Sequence, residues 1–193
     1  MLNEFFGYLS GLAILASFFP YIRDIFLGKT KPERMSWLIW AVLGSIAFFS
    51  QFAKGASWSL IFTGAQTAGD LVVFILAIKY GLGGFVKRDF VAFIGVGASL
   101  LLWYFTREAL VALFVVIFID AIGAFLTTLK SFEQPETETK SAWIFTFLGG
   151  LLGCFAVGEM NFILLAFPFY ICLASASILL AIELGIMKRK ISK

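Results

Sequence analysis

The sequence predicts an all-α membrane protein in which seven transmembrane helices form two parallel three-helix bundles joined by a linker helix. Three observations predict it. Of 193 residues, 61% are hydrophobic and 14% charged, where an ordinary soluble domain has about 25% charged residues. The mean hydropathy is +0.96. The apolar residues gather into seven runs of helical length, and the basic residues sort to one side of them.

The runs are Phe5–Ile22, Trp37–Phe52, Trp58–Ile78, Phe90–Phe105, Ala109–Leu129, Ala142–Gly158 and Asn161–Ile182. A spanning helix needs about 20 mostly apolar residues. The first run is read as a mature helix: Glu4 is the only charged side chain before it, so it lacks the basic flank of a secretory signal. The second, fourth and sixth runs are short. The fourth reaches only ~24 Å at 1.5 Å per residue, so its flanks must complete the span. Turn signals separate the runs, as at Lys29–Pro32, Gly81–Asp89 and Ser131–Ser141.

Lys and Arg counted loop by loop set the orientation. Arg23, Lys29, Lys31 and Arg34 follow the first run. Lys79, Lys87 and Arg88 follow the third, Lys130 and Lys140 the fifth, and Lys188, Arg189, Lys190 and Lys193 the seventh. Only Lys54 and Arg107 lie on the other side, so 13 of the 15 basic residues share one face. This places the N-terminus outside and the C-terminus in the cytoplasm of a multi-pass inner-membrane protein, and requires an odd number of spans. Trp37, Trp40 and Trp143 fall where an inner aromatic belt is expected.

The two ends of the chain repeat one another. Trp37 and Trp143 are 106 residues apart, as are Gly44 and Gly150. Pro20-Tyr21-Ile22-Arg23 faces Thr127-Thr128-Leu129-Lys130 at an offset of 107, and Ala77-Ile78-Lys79-Tyr80-Gly81 faces Ala181-Ile182-Glu183-Leu184-Gly185 at 104. The repeat is three helices long. A second copy in the same orientation needs one extra crossing, and the fourth run, apolar but for Ser99, supplies it. The expected division is residues 1–82, a linker over 83–107, and residues 108–193.

The Phe19-Pro20-Tyr21 element, the basic loop and Ser36-Trp37, taken with the 3+1+3 order, resemble the PQ-loop and SWEET transporter superfamily, with the nearest likeness to a bacterial seven-helix branch. The resemblance covers roughly residues 5–187. It implies a SWEET-like or PQ-loop-like fold and transport of a small polar solute, sugar-like or amino-acid-like, by alternating access between the two bundles. A receptor or assembly protein of the same fold, binding without transport, is the alternative.

Ionisable groups at the bilayer centre are costly and mark functional positions. Asp70 and Asp120 both fall near mid-span. Gln66 precedes Asp70 by one turn, which gives the third run a polar stripe. A solute site at the repeat interface is expected from Gln66, Asp70 and Asp120, with Tyr170 and Ser177 from the seventh run. Protons are an open second partner beside the solute and the lipid bilayer. Pro20 is a candidate hinge, and Lys79 with Glu183, opposite in charge and repeat-related, is a candidate gate. The absence of histidine removes His-based metal sites, triads and proton relays. With two cysteines, Cys154 and Cys172, both in apolar runs, no metal, cofactor, nucleic-acid partner or enzymatic activity is expected.

Overall fold

The computed structural model describes residues 2–53, 59–83, 90, 94, 97, 101, 104–105, 109–156 and 162–191. Six α-helices are delimited: α1 (Leu2–Phe26), α2 (Arg34–Ala53), α3 (Ser59–Tyr80), α4 (Ala109–Glu133), α5 (Lys140–Ala156) and α6 (Phe162–Ile191). A 3-10 turn at Pro135–Thr137 links α4 to α5. The helices end as their charges favour: Glu4 stands in the first turn of α1, and Arg23, Lys79 and Lys130 stand in last turns, where they complement the helix dipole.

The expectation of seven transmembrane helices is corrected here. Among the described residues only two helices are long and apolar enough to cross a membrane: Leu2–Phe26, with mean hydropathy 1.6, and Leu165–Ile191, with 2.2. Helix α5 is apolar but has 17 residues, ~26 Å against a hydrocarbon core of about 30 Å. The fourth expected run lies mostly outside the described residues. The two long helices are not the buried core of a soluble protein, since only 11% and 22% of their most apolar 18-residue stretches are buried. Large apolar side chains face outward along them, among them Phe19 at 76% exposure. Apolar surface of that extent marks a chain that associates with a membrane.

Helix α3 packs on both α1 and α2, and α6 packs on both α4 and α5. Across the halves α1 runs along α5 and α2 along α4, the first contact being the more extensive. This scheme is unchanged when α1, α2 and α3 are exchanged for α4, α5 and α6. Repeat-related glycines serve it in the same way. A Cβ on Gly44 would lie 2.8 Å from Thr67 Oγ1, and one on Gly150 would lie 2.7 Å from the Cys172 backbone nitrogen. Each glycine lets the second helix of its half approach the third.

Loops tie the helix ends together. The Arg34 guanidinium donates to the carbonyls of Ala77 (3.2 Å) and Ile78 (3.3 Å) at the end of α3. Leu82 N donates to Pro32 O at 2.8 Å and Arg34 N to Leu82 O at 2.9 Å, forming one parallel bridge. Gly83 turns the chain with φ +87°, and a Cβ there would meet the Glu33 carboxyl at 2.6 Å.

Candidate solute cavity

A cavity of about 480 Å³ lies at the centre, with residues from all six helices in its wall. Its chemistry follows from one face of each helix. On α2 the residues Trp37, Trp40 and Gly44 recur at helical spacing and line it; on α3 it is Gln66, Thr67 and Asp70; on α6 it is Pro168, Ile171, Ser175 and Ile178.

Three residues expected at the site are brought together. Gln66, Asp70 and Asp120 all line the cavity. Asp70 is 6% exposed and accepts from Gln66 Nε2 at 3.3 Å. The two carboxyls are within electrostatic reach of each other. Tyr170 does not line the wall, but its hydroxyl donates to Asp120 Oδ2 at 2.6 Å. It therefore orients that carboxyl from behind.

Ser177 is a correction. It is exposed and donates back to Ala174 O at 2.7 Å, near Thr128. At 3.6 residues per turn it stands about a third of a turn from the lining stripe. Ser175 takes its place, 2% exposed and donating to Ile171 O at 2.8 Å. The Lys79–Glu183 gate is likewise replaced. Glu183 pairs with Lys140 at a half-exposed site, and the Lys79 ammonium sits 5.0 Å from the Tyr80 ring centre. Pro20 lies inside α1 beside the lining Tyr21 but outside the wall itself.

The aromatic part of the wall was not expected. Tyr21 and Trp37 pack tilted with centroids 4.9 Å apart, Trp37 and Trp40 meet edge to face at 5.0 Å, and Trp40 and Trp143 lie 6.1 Å apart. These tryptophans fall where an interfacial belt is expected from the sequence, yet Trp37 and Trp143 are buried. The spacing of Trp37, Trp40 and Gly44 on one helical face was the available signal.

Two buried glutamates stand where the aromatic cluster meets the loops. Glu33 precedes Trp37 by four residues, and Glu138 precedes the repeat-related Trp143 by five. Glu33 Oε2 accepts from the Ser36 backbone nitrogen at 2.7 Å, which satisfies a free N–H of the first turn of α2. Ser36 Oγ lies 2.7 Å from the same oxygen and 2.6 Å from Gly123 O, and accepts from Thr127 at 2.8 Å. Glu138 takes a different set: Lys130 Nζ at 2.6 Å and Tyr21 Oη at 3.3 Å on Oε1, and Trp143 Nε1 at 2.8 Å on Oε2. Trp37 Nε1 donates to Tyr21 Oη at 3.2 Å. Lys130 also donates to Thr137 O at 2.7 Å. Burial lowers the Lys130 pKa below its ordinary value, with the Glu138 charge acting in the opposite sense. The loop lysine of the sequence is thus an interior cation.

Two polar atoms of the cavity wall remain unpartnered, Trp40 Nε1 and Gln66 Oε1. The Trp40 N–H lies close enough to the Asp120 carboxyl to interact with it, but without a hydrogen bond of good geometry. Among the described residues no cluster of His, Cys, Asp and Glu is placed to hold a metal ion. Comparison with protein-family models, with curated proteins and with solved structures finds no match to this chain.

Proposed function

We propose that the protein binds a small polar solute in the central cavity and carries it across a membrane. The observation that carries this reading is a cavity of about 480 Å³ walled by all six helices, with two carboxyls, an amide and a few hydroxyls in a mostly apolar lining. A pocket that size is in the range of small-molecule sites, where a few placed polar groups give specificity. The symmetric helix contacts support transport over binding alone, because two like halves that meet around a cavity can rock against each other. The resemblance of Phe19-Pro20-Tyr21 and Ser36-Trp37 to the PQ-loop and SWEET superfamily belongs to the same proposal. So does multi-pass insertion in the inner membrane with the N-terminus outside and the C-terminus cytoplasmic, supported by the 13-to-2 division of basic residues.

The test is solute flux into proteoliposomes. Wild-type protein should give saturable uptake, and Asp70→Asn should abolish it while leaving the folded protein intact. Uptake that persists unchanged in Asp70→Asn overturns the site. Saturable solute binding without flux favours the receptor alternative.

A further inference from the structure

The cavity wall also constrains which solute it takes. Asp70 and Asp120 face one space, and among the described residues no lysine or arginine joins them in its wall. A solute with a carboxylate or phosphate would bring a third acid to two carboxyls with no cation to offset them. Amino acids and sugar acids fit this wall poorly. A positive group gains from both carboxyls and from the Tyr21, Trp37, Trp40 and Trp143 rings, which attract cations within about 6 Å of a ring centre. The two unpartnered wall atoms add a second requirement. The Trp40 N–H needs an acceptor and Gln66 Oε1 needs a donor, and a buried polar group left unmade costs about 1–3 kcal/mol. One hydroxyl can serve both, since its oxygen accepts and its hydrogen donates.

Resting on the solute-binding reading above, we propose that the ligand is a small organic cation bearing a hydroxyl and no acid group, an amino alcohol or its quaternary ammonium analogue. The ammonium sits between Asp70 and Asp120 against the aromatic cluster. The hydroxyl reaches Trp40 Nε1 and Gln66 Oε1.

Three of the five tryptophans line the cavity, so ligand entry is read by intrinsic fluorescence of the purified protein in detergent. The probes are choline, ethanolamine, glucose and alanine. Choline and ethanolamine should each give a saturable change and compete with one another, with none from glucose or alanine. Asp70→Asn and Asp120→Asn should each weaken choline binding by about tenfold or more. Trp40→Phe, which keeps a ring but removes the N–H, should weaken it about three- to tenfold, with circular dichroism reporting that each variant is folded. Saturable glucose or alanine binding without choline binding overturns the cation assignment and leaves solute binding standing. Choline binding that survives both Asp variants unchanged also overturns it. Silence from all four probes counts against the cation and the solute site together.

Discussion

Replacing Lys130 with methionine isolates the buried ion pair. The methionine keeps most of the side-chain length but removes the ammonium. Glu138, whose side chain is 0% exposed, would lose a partner at 2.6 Å and keep Trp143 Nε1 at 2.8 Å and Tyr21 Oη at 3.3 Å. At that separation the lost attraction is about 6 kcal/mol with an effective dielectric constant of about 20. Part is offset, because an ammonium no longer has to be desolvated. The net cost of leaving one buried charge unpaired is about 3–5 kcal/mol. Removing both charges with Lys130→Met and Glu138→Gln should restore stability to within about 1 kcal/mol of wild type or exceed it, since a neutral pair carries no desolvation penalty. The Gln oxygen can still accept from Trp143. Denaturant titration in detergent, followed by tryptophan fluorescence, measures all three proteins. A loss below about 1 kcal/mol in the single variant would refute the argument that the pair is buried and coupled. So would a double variant as unstable as the two single variants summed.

The same lysine gives a pH dependence. Its folded pKa lies below the ordinary 10.5, so the folded protein releases this proton before the unfolded chain does. Stability from this group therefore rises as pH climbs from the folded pKa towards 10.5, and Lys130→Met should flatten that rise in melting temperature. Gly150→Ala should cost about 1–3 kcal/mol, because its Cβ would meet the backbone of Cys172 at 2.7 Å and Pro168 O at 3.0 Å. Gly97→Ala, with nothing within 4 Å, should be neutral or stabilising by up to about 1 kcal/mol, and thermal unfolding compares the two. Tyr170→Phe removes the 2.6 Å donor to Asp120 and should lower stability by about 1–3 kcal/mol, read in the same denaturant titration. Lys140→Ala breaks a half-exposed pair with Glu183 and should change stability by less than about 1 kcal/mol.

The acidic part of the cavity was legible in the sequence because burial of a charge is expensive. Asp70 and Asp120 stand out in apolar runs, and the one-turn spacing of Gln66 points it the same way as Asp70. The aromatic part was hidden by an ambiguity of tryptophan, which serves equally at a lipid interface and in a cavity wall. The Lys130–Glu138 pair was hidden for a related reason. Lysine near a helix end normally snorkels to water, and only the fold of the Ser131–Ser141 connection brings a glutamate over it. Apolar runs were overread as spanning helices: among the described residues only Leu2–Phe26 and Leu165–Ile191 are both long and apolar enough to cross a membrane.

The repeat itself predicts some positions well and others poorly, and the reason is physical. Gly44 and Gly150 play one role because helix approach depends on backbone geometry, which two copies of a fold share. Glu33 and Glu138 each stand shortly before a repeat-related tryptophan, yet Glu33 accepts from Ser36, which in turn is met by Thr127, whereas Glu138 accepts from Lys130, Tyr21 and Trp143. Side-chain chemistry at the seam between halves is free to diverge, provided each buried carboxyl is satisfied. Neither Tyr170, 104 residues after Gln66, nor Ser177 lines the cavity, whereas Ser175 does. The same divergence makes the wall one-sided. The α3 stripe contributes an amide and a carboxyl, while the equivalent α6 stripe contributes Pro168, Ile171 and Ser175. The proposed solute would therefore meet different polar groups on its two sides, although the two halves share their backbone arrangement.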